Sequence, residues 1–432
     1  QEHHDTSDFD LVIADEAHRC AGKVSDAFGS VLDEKKIKAS KRLFFTATPR
    51  ILSNHIKGIA KSNNIEVLSM DNVSLFGEIL YRLTFSEAIY KKLLSNYQVA
   101  IIGIDDEIIK EKIHNRDLVT ADGKNIFDAE SLASNIALAK ALKKYGLKKV
   151  ITFHGRVSKA KKFSEDIKKV LNLIKEVDKP RGKVHTDYIA GSMKSSERNE
   201  KIQRLKNIGE DETTMLSNAR CLAEGVDIPA LDGIGFIDPK KSQIDITQAV
   251  GRAIRKSEDK SIGTIIIPVY LGCLDNPEEE ILASKFKNVW QVILALKSQD
   301  DSLMECIDNL RISLGKENIK SSDMVGLEKI KFDLPERIDK KFTQSIKTIL
   351  IKNTSDHWME KYGELCKFFD ENGHTIVPQT HPSIGAWVNA QRSLFRKRNL
   401  SIDKEKLLNK INFILDPTEY RWFKNFNDLK LF

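Results

Sequence analysis

Short apolar runs that end in polar or small residues recur along the first two thirds of the chain. Phe9-Asp10-Leu11-Val12-Ile13-Ala14 and Arg42-Leu43-Phe44-Phe45-Thr46 read as buried parallel strands, with helix and loop over 24–38 between them. Residues 64–105 mix strand-like stretches such as Gln98–Ile102 with a helix around Phe85–Leu94. A helical pattern over 129–145 closes at Gly146, a C-cap. Strands are then expected at 149–153, 186–190, 213–217, 233–237 and 262–269, with helices at 158–173, 195–207 and 244–256. That alternation predicts an α/β fold with doubly wound parallel sheets.

Beyond residue 276 the pattern changes. Residues 276–350 read as helical, then charged and irregular, like a connector. In the last segment Trp358, Tyr362, Leu365, Phe368 and Phe369 recur at helical spacing until Gly373 and Pro378 interrupt them. Ile384, Trp387, Val388 and Leu394 mark a second helix, and Leu407, Leu408, Ile411 and Leu415 a third. The expectation is a small three-helix domain with Trp387 in its core, and no internal repeat is visible.

Composition narrows the class. The 432 residues allow two to four domains, and 41% hydrophobic with 30% charged residues fits a soluble globular protein. No apolar run approaches the roughly eighteen residues of a membrane span, so no membrane role is expected. Cys20, Cys221, Cys273, Cys306 and Cys366 are scattered, which points to a reducing, cytoplasmic setting and away from disulfides or zinc. A net charge of +7 suits a polyanionic partner without requiring one.

Two signatures about 235 residues apart carry the candidate chemistry. Asp15-Glu16-Ala17-His18 puts two acids at the end of the first strand. There one carboxylate can hold Mg²⁺ and its neighbour can orient the attacking water of a nucleoside triphosphatase, Asp15 in the first role and Glu16 in the second. The alternative is an acidic helix start favoured by the dipole. Thr46-Ala47-Thr48-Pro49 ends the next strand, where hydroxyls can link the acids to a facing domain or simply cap a turn. His18 can couple these elements or cap a turn. In the second unit, Ala219–Pro229 follows a strand; Gly225 permits close backbone approach, and Asp227 can accept from a ribose hydroxyl or an arginine. Arg252 and Arg255, three apart on an expected helix, point the same way and suit arginine fingers on a phosphate.

These residues resemble the motifs of superfamily 2 helicases and translocases of the DEAD/DEAH type, in a style closest to restriction-subunit-like and phage or plasmid helicases. Asp15–His18 match motif II, Thr46–Thr48 motif III, Ile151–Arg156 motif IV, Ala219–Pro229 motif V and Gln248–Arg255 motif VI. Motif VI departs from the common pattern at Ala249, where an arginine is usual, so only Arg252 and Arg255 carry over as fingers. The resemblance implies two RecA-like lobes that close on ATP with Mg²⁺. It also implies nucleotide or coupling roles for His18, Thr46, Thr48, Gly225, Asp227 and Gln248. DNA is the implied partner, with RNA left open, alongside a nuclease or methyltransferase subunit. Trp358, Asn372-Gly373-His374, Val377-Pro378 and Ile384–Arg392 resemble a helicase-associated domain, in which Arg392, Arg396, Lys397 and Arg398 would bind nucleic acid.

The expected division is thus an incomplete first lobe over 1–125, a second lobe over 126–275, a helical connector over 276–350 and the helicase-associated domain over 351–432. No Gly-x-x-x-x-Gly-Lys-Ser/Thr occurs in the 432 residues. The phosphate loop is therefore expected upstream of Asp15, on sequence removed by truncation, which would leave this chain inactive by itself. Three readings stay open: an ATP-dependent DNA helicase or translocase, the motor subunit of a restriction or phage-defence complex, and a non-catalytic DNA-binding remnant.

Overall fold

The computed structural model describes residues 8–23, 27–52, 54–63, 65–112, 128–176, 179–219, 228–238, 242–257, 262–272, 286–317, 327–336, 338 and 340–431. Near the start, β1 (Phe9–Ala14) pairs in parallel with β2 (Ala39–Phe44), followed by α1 (Asn54–Ser62). The expected burial of β1 is not met, because among the described residues only β2 pairs with it. Leu11 and Ile13 are exposed, and Ala14 alone in the strand is buried.

A seven-stranded, all-parallel sheet dominates the rest. Its strands are β3 (Asn96–Asp105), β4 (Lys149–His154), β5 (Lys183–Ala190), β6 (Glu212–Ala219), β7 (Gly233–Asp238), β8 (Ile262–Gly272) and β9 (Ile330–Asp333). In spatial order they run β9-β3-β8-β7-β4-β6-β5. Two expected boundaries therefore move. The stretch 96–105, placed in the first lobe by its distance from the later strands, pairs with β8 along its whole length. The connector is not a separate link either, since it supplies β9 at the sheet edge beyond β3.

A parallel sheet must cover both faces, and alternate residues of its strands show how. Val99, Ile101, Ile265 and Ile267 point into one core; Ala100, Ile102, Ile104 and Ile266 point into the other. The second core is closed by α4 (Ala129–Lys144) and α5 (Val157–Leu173). On the first face lie α7 (Gln243–Ala253), α8 (Lys287–Lys297), α9 (Asp301–Gly315) and α10 (Lys340–Thr354). Further helices are α2 (Phe85–Tyr90), α3 (Asp106–Lys112) and α6 (Ser195–Lys206), with a single turn at Val73–Phe76. Gly146, at φ +60°, ends α4 as the sequence requires.

The C-terminal domain holds α11 (His357–Asn372), α12 (Gly385–Arg396), α13 (Ile402–Lys410) and α14 (Pro417–Lys430). The expected bundle of three is thus followed by a fourth helix, capped by Asp416 and begun by Pro417. Trp358, Tyr362, Leu365, Val388 and Leu408 form the bundle core, and the Trp358 indole donates to Gln391 at 2.9 Å. Trp387 packs against Trp358 at 5.5 Å between centroids, in the core rather than as a platform.

α9 and α11 cross with their backbones in contact. A Cβ on Gly363 would stand 2.1 Å from the Ile312 carbonyl oxygen, and one on Gly315 would stand 2.0 Å from that of Glu360. Arg311 on α9 pairs with Glu360 at 2.6 Å beside this crossing. Replacing Gly363 by Ala forces the helices apart, at a cost of about 1–3 kcal/mol or more. Gly363→Ala should lower the unfolding temperature and expose the stretch between α10 and α11 to proteases; unchanged values on both counts would refute the contact.

Polar residues inside the sheet carry a pH signature. At the end of β4 the His154 imidazole lies 3.0 Å from the Thr152 hydroxyl, which in turn donates to Ser217 at 3.1 Å. Burial pushes His154 from 6.5 down to about 4; Asp238 opposes the shift and Lys159 adds to it. The unfolded chain binds this proton first, so the stability is complete above pH 6.5 and drains as pH falls towards 4. The total loss is up to about 3 kcal/mol. His154→Gln should flatten the decline in unfolding temperature over that window, and parallel declines for the two proteins would disprove the assignment.

Candidate active site and nucleic-acid interface

The acid-bearing turn is built by the ends of β1 and β2. Phe45 donates its N–H to Ala14 at 2.9 Å, and Ala17 donates back to Phe45 at the same distance. Between these bonds Asp15 is exposed, and its Oδ1 accepts the Glu16 N–H at 2.8 Å. Glu16 takes the left-handed backbone conformation, φ 50° and ψ 43°, which a non-glycine residue rarely adopts outside functional turns.

That geometry turns Glu16 towards His18. Glu16 Oε2 is 3.3 Å from His18 Nδ1, an ion-pair distance, yet it is buried without a hydrogen-bond donor in good geometry. The same Nδ1 is 3.2 Å from the Thr46 hydroxyl, which accepts the Thr48 N–H at 3.1 Å. Burial lowers the His18 pKa, Glu16 partly offsets this, and Arg19 and Arg50 add to it. His18 is therefore neutral at pH 7 and offers Nδ1 one proton at most, to be shared between Glu16 and Thr46. The Thr48 hydroxyl is buried with no hydrogen-bond partner among the described residues. An exposed carboxylate, an orphaned carboxylate oxygen and hydroxyls suit Mg²⁺, which takes one or two protein oxygens and completes its shell from phosphates and water.

The arginines occupy a different sheet. Arg252 lies in the last turn of α7, half-buried, its pKa lowered by burial and by neighbouring Arg255. Arg255 departs from the expectation that both project from one helix face. The helix ends at Ala253, Ile254 caps it, and Arg255 forms an antiparallel bridge with Leu94. Ser95 reinforces the departure by donating its N–H to Ile254 at 2.8 Å, and the Arg255 guanidinium reaches the Ile228 carbonyl at 3.2 Å. Competition from the strand-side backbone ends the helix one residue short of that pairing. Ala249, where the family usually has arginine, is 3% exposed and faces the core. Gln248 is half-buried on the same helix. Gly225 and Asp227 lie outside the described residues.

The structure thus brings Glu16, His18 and Thr46 together, and gathers Arg252 and Arg255 at the end of α7. The β4–β6 cluster of Thr152, His154 and Ser217 escaped the sequence reading, although hydroxyl and imidazole at i and i+2 mark one strand face.

In the C-terminal domain the basic residues separate into two kinds. Arg392 is only 6% exposed, and it donates to Ile414 O at 3.0 Å, Asn389 Oδ1 at 2.8 Å and Thr375 O at 3.1 Å. Its expected role as a phosphate ligand is corrected: the guanidinium ties α12 to the loops on either side of it. Arg396, Lys397 and Arg398 are exposed, with Arg396 also donating to Leu415 O at 2.6 Å. Arg396 and Lys397, with Asn389, Arg392, Ser393 and Pro417, border a cleft of about 500 Å³.

Comparison with known proteins follows this layout. Residues 109–257 match the helicase conserved C-terminal domain, 355–416 the helicase associated domain and 1–51 the type III restriction enzyme res subunit. A859L of African swine fever virus (isolate Pig/Kenya/KEN-50/1950), named as a helicase, is 26% identical over 70% of this chain and 30% of its own length. IRC3 of Saccharomyces cerevisiae (strain ATCC 204508 / S288c), named as an ATP-dependent helicase, is 26% identical over 97% of this chain and 58% of its own. The chain therefore spans well under two thirds of these relatives. Among solved structures, the ATP-dependent Type ISP restriction-modification enzyme LlaBIII bound to DNA superposes with a TM-score of 0.63 and 27% identity. That match covers 91% of this chain and 25% of LlaBIII. By its fold and these three matched domains, the chain is similar to the superfamily 2 helicases of the restriction-subunit-like type.

Proposed function

We propose that this chain is the motor portion of an ATP-dependent DNA translocase. The superposition on DNA-bound LlaBIII over 91% of the chain is the observation that carries the reading. In it, Asp15 holds Mg²⁺ and Glu16 orients the attacking water. A bound Mg²⁺ supplies charge neutralisation to the phosphates. The left-handed turn aims the Glu16 carboxylate before nucleotide arrives, with His18 beside it and Thr46 holding the His18 ring. Arg252 and Arg255 approach the same nucleotide from the larger sheet, with Gln248, Gly225 and Asp227 around it. Residues up to about 84 then belong to the first lobe, 85–354 to the second and 355–416 to the helicase-associated domain. A second reading, a motor within a restriction or phage-defence assembly, is favoured by the res subunit match and by LlaBIII; cleavage or methylation would then come from a nuclease or methyltransferase partner.

Two experiments test this. In the protein joined to a phosphate loop, Glu16→Gln should cut DNA-stimulated ATP turnover by about 10²-fold or more while leaving ATP binding in place. Turnover within a few-fold of the parent would refute the role of Glu16. Replacing Arg396, Lys397 and Arg398 by Ala should reduce the salt dependence of DNA binding, log K against log salt, by about one per phosphate contact removed. Arg392→Ala should instead destabilise the domain by about 2–5 kcal/mol, because its three buried acceptors lose a charged donor. A stable Arg392→Ala protein with weakened, less salt-sensitive binding would return Arg392 to the phosphate contacts.

A further inference from the structure

Arg255 needs a mount that its own helix does not supply. It is exposed and stands two residues past Ala253, where α7 ends, so the helix no longer dictates its backbone. A side chain that acts on a reacting phosphate has to be held to about half an ångström. Misplacement by about 1 Å costs on the order of 10²-fold in rate. The bonds that fix the backbone here come from far upstream in the chain. Leu94 forms an antiparallel bridge with Arg255 itself, and Ser95 donates its N–H to Ile254 O at 2.8 Å. The Ser95 hydroxyl also reaches Arg255 O, at 3.4 Å. Ser95 is buried, and so is Ile254, so this clamp is shielded from competing water.

Leu94 and Ser95 end a short arm, α2 and the turn after it, which is tied down on both sides. Lys92 takes a left-handed backbone, φ 59°, and Leu93 and Leu94 both donate their N–H groups to Ala88 O, at 2.9 and 3.3 Å. Phe85, Ile89 and Leu94 pack on the core that also holds Val250, Ala253 and Ile254. Where the arm begins, Phe85 donates its N–H to Gln299 O at 2.8 Å. Where it passes into β3, the Tyr97 hydroxyl donates to the Asp300 carboxylate at 2.7 Å. Asp300 is wholly buried and is bound by Lys329 as well, at 2.7 Å. Gln299 and Asp300 are neighbours in the turn between α8 and α9, so one turn grips the arm before and after its clamp.

We infer that Leu94 and Ser95 are positioning residues for Arg255, fixing its backbone and through it the direction of the guanidinium before a nucleotide is bound. The inference rests on the reading of Arg255 as a group that meets the triphosphate. Thus placed, the guanidinium lies 3.2 Å from the carbonyl of Ile228, the residue after Asp227. The stretch 77–84 leads from the first lobe and meets the Phe85–Gln299 bond before it meets the clamp. Displacement of that lobe is therefore borne at Gln299, and Arg255 keeps one orientation whether the lobes stand apart or closed.

The test uses the protein joined to a phosphate loop and compares each variant with and without Arg255. Arg255→Ala should lower DNA-stimulated kcat by about 10³-fold. Ser95→Pro removes the N–H that binds Ile254, and should lower kcat by about tenfold or more with the KM for ATP within about twofold. Ser95→Thr keeps both donors and should leave kcat within about twofold of the parent. In the Arg255→Ala background, Ser95→Pro should cost less than about twofold more. Tyr97→Phe releases the arm from Asp300 while Lys329 stays on that carboxylate. It should cost about two- to fivefold, again only when Arg255 is present, and it carries the comparison if Ser95→Pro does not fold. Ser95→Pro, or Tyr97→Phe in its place, matching the parent in kcat overturns the clamp. So does either variant losing the same factor with and without Arg255. An Arg255→Ala protein with the parent's kcat overturns instead the reading of Arg255 on which the clamp rests.

Discussion

Both faces of the seven-stranded sheet have to be covered, because all its strands are parallel and most of their residues are apolar. That demand organises the molecule well beyond the strands themselves. One face takes α4 and α5 from the segments between strands. The other is too wide for α7 alone and recruits α8, α9 and α10 from sequence past the last long strand. What looks like a charged connector is therefore structural cover, with Val289, Ile293, Ile307 and Ile349 inward and two charged residues, Asp300 and Arg311, buried among them. Asp333 on the edge strand β9 is held by Lys140 and Lys144, each at 3.0 Å, which ties the recruited edge to α4 on the opposite face.

The glycine crossing of α9 and α11 extends this body to the C-terminal domain. Because α9 is part of the sheet cover and α11 is the first helix of the small bundle, backbone contact at Gly315 and Gly363 leaves little room for one to rotate on the other. In the proposed motor this has a mechanical consequence. Displacement of the larger lobe would be passed to the basic cleft by a packed helix pair rather than by a flexible tether.

The acid turn and the arginines illustrate two ways of positioning a charged group. At the acid turn, the left-handed Glu16 backbone sets one carboxylate oxygen 3.3 Å from the buried His18 ring and leaves it without a hydrogen-bond donor. At the arginines the helix is cut short by a bridge to Leu94, so Arg252 and Arg255 reach out from different backbone geometries. Arg392 shows the same lesson in the opposite direction. A basic residue beside three exposed ones was drawn inward, because Ile414, Thr375 and Asn389 needed a donor with several N–H groups in a plane.

Local pattern was sufficient for the strands from β3 to β8 and for α4, α5, α6 and α7 between them, since alternating apolar runs and helical periods are set by residues close in sequence. The chain also determined by itself the motif order, the acid pair, Gly146 as a cap and the tryptophan-centred bundle. Tertiary structure alone decided which sheet residues 96–105 and 330–333 join, that the connector is core, that Arg255 leaves its helix and that Arg392 is buried. Each of these depends on partners far away in sequence, β8 for β3 and Leu94 for Arg255, and such pairings leave no periodic trace in the segment itself.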